Sequence, residues 1–67
     1  MPKDIETLIN KGYRVVEKNA SIKHYHVFYG TTFLNLWTGS KKYMPRISQP
    51  ATSYTDIQEV IDYMENN

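Results

Sequence analysis

The side chains that could do chemistry are concentrated in residues 23–42, KHYHVFYGTTFLNLWTGSKK. His24 and His26 are one residue apart, so on a strand their imidazoles point the same way, about 7 Å apart by strand rise. Two such groups can supply two metal ligands, or a general acid and base for RNA cleavage. A closed metal site needs further ligands, and none stands nearby in sequence; Glu17 or an acid near the C-terminus would have to be brought in by folding. No metal and no cofactor is therefore expected. Phe28, Phe33 and Trp37 offer flat aromatic surface that can stack bases, and the Asn35 amide can read base edges. The same rings are anchor types of protein interfaces. Nucleic acid, a host protein and a second copy of the chain are thus all open as partners.

A basic set flanks the aromatics: Lys23, Lys41, Lys42 and Arg46. In Gly39-Ser40-Lys41-Lys42-Tyr43, main-chain amides around the glycine and two lysines could hold a phosphate. Adjacent lysines on a loop are more often solvated surface. No GxxxxGK[ST] pattern is present, so nucleotide hydrolysis has no support. In the binding set Trp37, Phe28 and Tyr43 supply stacking or anchor area. Lys23, Lys41, Lys42 and Arg46 supply phosphate or carboxylate contacts, and His24, His26 and Asn35 the specific polar ones. Catalysis by His24 or His26 belongs to an alternative, ribonuclease reading.

The elements that must position these groups follow from periodicity. Ile5, Leu8 and Ile9 recur at helical spacing, Asp4 and Glu6 suit the first turn, and Gly12 suits the position after the end, which predicts a helix over 3–11. Residues 13–18 (YRVVEK) can form a strand, and Asn19-Ala20-Ser21 reads as a turn. Residues 22–29 and 32–37 are the clearest strands, joined by a tight Gly30-Thr31 hairpin turn. Residues 41–46 can add a short edge strand ended by Pro45, and residues 47–53 read as a connector. Thr55 and Gln58 match a capping box ahead of a last helix with Ile57, Val60, Ile61 and Met64 on one stripe.

The expected architecture is α+β: an antiparallel three-stranded sheet with both helices packed on one face, in the order α-β-β-β-α, as one domain over 1–67. A sheet covered on one side alternates inward and outward residues. Leu34, Leu36, Tyr25 and Val27 then face the helices, with Tyr29 at the margin. His24, His26, Phe28, Phe33, Asn35 and Trp37 face away. A slip of one residue in register would exchange the two sets.

Composition bounds the rest. A chain of 67 residues buries a modest core, and without cysteine it has neither disulfides nor thiolate metal sites, which suits a reducing interior. No signal peptide or membrane span is evident, and the chain reads as a complete small protein of a host cytoplasm. Net charge is +1, which points neither to an acidic nucleic-acid mimic nor to a strongly basic binder. Its distribution says more. Asp4, Glu6, Asp56, Glu59, Asp62 and Glu65 lie in the end segments, and bases concentrate in the middle, at Lys23, Lys41, Lys42 and Arg46.

Two resemblances bear on function. The helix followed by Gly12-Tyr13, the strand bearing His24 and the α-β-β-β-α order resemble the HicA-type mRNA-interferase toxins, whose fold is like that of double-stranded-RNA-binding domains. The likeness implies a catalytic histidine at His24, in the context Ala20-Ser21-Ile22-Lys23-His24 rather than the family's Gly-Ser-His. Gly39-Ser40-Lys41-Lys42 also resembles the phosphate-contacting stretch of double-stranded-RNA-binding domains. Over more of the chain, Asn35-Leu36-Trp37-Thr38-Gly39-Ser40-Lys41-Lys42-Tyr43 and the closing helix are similar to small phage-encoded proteins. That likeness implies an accessory protein of a phage or mobile element, with no particular activity. The function expected is a non-enzymatic binding protein acting on nucleic acid or a protein partner. Inhibition of a host defence protein by contact alone is the second reading, and a HicA-like ribonuclease the third.

Overall fold

Alternation in the two central strands sets the architecture of the computed structural model, which describes residues 2–45 and 50–66. Helix α1 (Lys3–Asn10) is followed by strand β1 (Arg14–Asn19), a 3-10 turn (Ala20–Ile22) and strands β2 (His24–Tyr29) and β3 (Thr32–Trp37). Two shorter strands, β4 (Lys42–Met44) and β5 (Thr52–Ser53), precede helix α2 (Ile57–Glu65). The strands form one antiparallel sheet in the order β1-β2-β3-β4-β5. The expected three-stranded sheet is therefore corrected to five strands.

The additional pairings have local causes. Tyr43 stands opposite Leu36 and turns toward the core, which binds β4 to the sheet. Beyond it the Tyr54 amide donates to the Lys41 carbonyl at 3.0 Å, and the Tyr54 hydroxyl donates to Asp4 on α1 at 2.9 Å. Those two bonds lay Thr52–Ser53 along β4, where a connector was expected. Pro50 precedes this strand and so removes none of its ladder bonds.

Both helices begin and end for identifiable reasons. At the end of α1 the Tyr13 amide donates to the Leu8 carbonyl at 3.0 Å and the Gly12 amide to Ile9 at 2.9 Å, the Schellman pattern. Gly12 takes a φ of +93°, where a side chain would be strained. At the start of α2 the cap is Asp56 with Glu59, one residue later than the Thr55–Gln58 pair expected. Glu59 decides it: its Oε2 accepts from the Asp56 amide and from both the amide and hydroxyl of Thr55. Those Thr55 bonds hold its carboxyl below the usual range.

Inward residues of both helices and of the sheet meet in one core. Leu8, Val27, Leu34, Leu36 and Val60 are fully buried, with Ile5, Ile61, Met64 and Tyr25 nearly so. Ile9, placed on the α1 stripe by spacing, is instead 45 % exposed. Register follows the hydrophobic pattern, with Tyr25 opposite Leu36 and Val27 opposite Leu34 on the helix side. The hairpin closes through Gly30 at φ +61° and Thr31 at negative φ, as in a II′ turn.

Candidate binding face

Register places one side chain after another on the face turned away from the helices. His24 pairs with Trp37, His26 with Asn35 and Phe28 with Phe33 across β2 and β3. On the flanks Arg14 and Val16 of β1 stand opposite Phe28 and His26, while Lys42 and Met44 of β4 stand opposite Trp37 and Asn35. The outward set expected from alternation is thus the set found.

Its rings contact one another. The His24 ring stacks on Trp37 with centroids 4.7 Å apart and planes 8° from parallel. The Nε2–H of His24 donates to Oδ1 of Asn35 at 2.9 Å. His26 meets Phe33 edge-on at 4.9 Å, and Phe28 lies 5.1 Å from Phe33. Such pairs contribute about 1 kcal/mol each beyond the area they bury. Enclosed by its neighbours, Asn35 is only 8 % exposed. Phe33, at the hairpin end, is the most open ring of the group, at 37 %.

The two histidines lie closer than strand rise suggests, with ring centroids 5.3 Å apart. Burial lowers the pKa of His26 from its ordinary 6.5, and the charges of Lys18 and His24 push it the same way against a hydrogen bond to Asn35. Among the described residues no three His, Cys, Asp or Glu side chains come together as metal ligands.

Charge divides the molecule along the sheet. The Arg14 guanidinium lies 5.4 Å above the Phe28 ring, Lys42 flanks Trp37, and Lys18 is near enough to His26 to act on its titration. All seven carboxylates belong to the other side. Asp4 and Glu6 are on α1, Asp56, Glu59, Asp62 and Glu65 are on or capping α2, and Glu17 stands opposite inward-facing Tyr25.

The basic residues singled out in the sequence do not form one cluster. Lys41 has a left-handed backbone (φ +56°) and reaches the helix side, where its Nζ pairs with Asp4 at 3.2 Å and lies over the Tyr54 ring. Lys42 turns the other way and makes no ion pair among the described residues. Lys23, also left-handed (φ +52°), runs its side chain past Gly39 beside the Trp37 end of the face, and its carbonyl accepts from the Thr38 amide. Tyr43 lies on the core side between Tyr54 and Tyr63 rather than with Trp37 and Phe28. Arg46 falls outside the described residues.

Three contributors were not singled out as binding residues: Arg14, Lys18 and Met44. Arg14 is legible as an outward position once β1 is paired in register with β2, whereas Lys18 falls in the irregularity between Glu17 and Asn19 and has no partner on β2. A groove of about 280 Å³ between α1 and β1, lined by Pro2, Ile5, Ile9, Val15, Glu17 and Tyr25, lies away from all the expected residues.

No family, no curated protein and no solved structure matches this chain. No helix among the described residues is long and apolar enough to cross a membrane.

Proposed function

We propose that this chain is a small non-enzymatic binding protein that holds nucleic acid against the outward face of its sheet. One observation carries the reading. Aromatic rings and cations share that face, and the seven Asp and Glu side chains lie elsewhere. Phosphates favour such a surface over one of mixed sign, and rings accept bases of any sequence. Trp37, Phe28 and Phe33 provide the stacking area. Arg14, Lys18, Lys23 and Lys42 provide the phosphate contacts, and His24, His26 and Asn35 the polar ones. The resemblance of residues 35–43 to small phage proteins supports reading it as an accessory factor of a phage or mobile element acting in the host cytoplasm.

The test separates the two adjacent lysines. Affinity for an oligonucleotide should fall linearly on a log scale with salt, and Lys42→Ala should reduce that slope by about one unit. Lys41→Ala, whose charge is paired with Asp4, should leave it unchanged. If Lys42→Ala also leaves both affinity and slope unchanged, the lysine has no phosphate role. A homodimer that buries Trp37 and Phe33, or a single host protein captured with nucleic acid irrelevant, would overturn the reading in favour of protein contact.

The adjacent imidazoles support a second reading, a ribonuclease using His24 or His26. It predicts RNA cleavage that is abolished by His24→Ala or His26→Ala, and cleavage surviving both substitutions would exclude it.

A further inference from the structure

Two aromatic poles occupy opposite ends of β3 on the outward face. One is Phe33 with Phe28 beside it and Arg14 above the latter at 5.4 Å. The other is Trp37 with His24 stacked on it, flanked by Lys42 across the strand pair and by Lys23 at the strand end. Each pole therefore combines a ring with a cation. Between them stand the polar groups Asn35 and His26, paired across β2 and β3, with Asn35 bonded to His24 and His26 edge-on to Phe33.

The distance between the poles restricts the ligand. Phe33 and Trp37 are four residues apart on one strand, about 13 Å by strand rise, or about four steps of a strand stacked at 3.4 Å per nucleotide. Form restricts it too. Duplexes are read by an element inserted into a groove, usually a helix or a two-stranded ribbon. This face is a sheet surface with rings that touch one another, and rings can stack only on bases that are not already stacked in a duplex. His24 covers one side of the indole, so a base at Trp37 extends an existing stack instead of ordering a free side chain.

We propose that the outward face binds a single-stranded segment of about five nucleotides laid along β3, with one base on Phe33, another on Trp37 and the intervening bases over Asn35 and His26. This deepens the nucleic-acid reading above and rests on it. The two poles act as one site only when a strand is long enough to reach both. Length, and not sequence, is therefore the main determinant of affinity.

Trp37 is the only tryptophan of the chain, so its fluorescence reports directly on one pole. The experiment titrates the full chain, at low salt, with oligothymidylates of two to ten nucleotides and with a mixed-sequence duplex. Quenching is expected with every single strand, with affinity rising about tenfold between two and five nucleotides and only gradually thereafter. The duplex should neither quench nor compete. Phe33→Ala, an exposed position, should lower the affinity of longer strands about tenfold to the dinucleotide level while leaving saturated quenching intact. A duplex that binds as tightly as the ten-nucleotide strand would overturn the inference while sparing the nucleic-acid reading, as would a length profile indifferent to Phe33→Ala. Failure of every nucleic acid to bind the native chain would defeat both.

Discussion

The two faces of one pair of strands differ in how their side chains are satisfied. On the inner face of β2 and β3, Val27, Leu34 and Leu36 are fully buried and Tyr25 nearly so, under two helices. Branched aliphatic chains fill the uneven space between helix and sheet. On the outer face His24, His26, Phe28, Phe33 and Trp37 lie against one another with no second layer above them among the described residues. Polar groups differ in the same way. Inward-side tyrosines have acid partners, Tyr13 with Glu65 at 3.1 Å and Tyr54 with Asp4 at 2.9 Å. The cations of the outer face make no ion pair among the described residues. One side of the sheet is complete within the chain, and the other has chemistry left to offer.

Stability measurements can break this contrast. Leu34→Ala or Leu36→Ala should each cost about 3 kcal/mol in urea unfolding, a large share of what so small a domain possesses. Phe33→Ala, next to Leu34 in the chain but on the other face, should cost less, about 2 kcal/mol for the two ring pairs it breaks. Equal losses would make the outer face a second core. Asn35 tests the boundary, since it is buried yet outward. Asn35→Ala should cost about 1–2 kcal/mol, because His24 loses its acceptor.

Titration sharpens the contrast with smaller effects of opposite direction. Burial, followed by the hydrogen bond to Glu65, pushes the Tyr13 hydroxyl from 10.0 up to about 12, and burial also raises Tyr54. A raised pKa means stability that is intact below pH 10 and lost as pH climbs toward 12. Alkaline unfolding should therefore begin in that window, with a shallower pH dependence in Tyr13→Phe. On the outer face His26 is shifted down, so its contribution is intact above pH 6.5 and lost as the pH falls through the folded value. Acid should thus weaken the fold slightly while strengthening oligonucleotide binding, because a protonated His26 adds a cation to the face. Affinity that is flat from pH 7 to pH 5 would remove His26 from the contact.

Much of this division was legible in the sequence. Alternation in HYHVFY and TFLNLW separated the faces correctly because register is tied to burial on the helix side. The stripe Ile57, Val60, Ile61 and Met64 was equally direct, and all four are buried. Other features depend on partners remote in sequence. Tyr54 helps hold β5 through Asp4, fifty residues earlier, which accepts its hydroxyl, and through the Lys41 carbonyl, which accepts from its amide. Residues 22 and 23 looked like the start of a strand. The Asn19 side chain instead accepts from the Ser21 amide and draws Ala20–Ile22 into a 3-10 turn. The opposite orientations of Lys41 and Lys42 depend on a left-handed backbone at Lys41, a conformation its side chain does not announce. Burial of Asn35 required knowing how His24 and Trp37 close around it.

The most direct test is a two-dimensional amide NMR titration of the native chain with a single-stranded oligonucleotide. Shifts should concentrate on β2, β3 and residues 38–42, spread to Arg14 and Lys18, and leave the outward side of α2 unmoved. Shifts centred on the helices, or none at saturating oligonucleotide, would contradict the assignment of this face as the working surface.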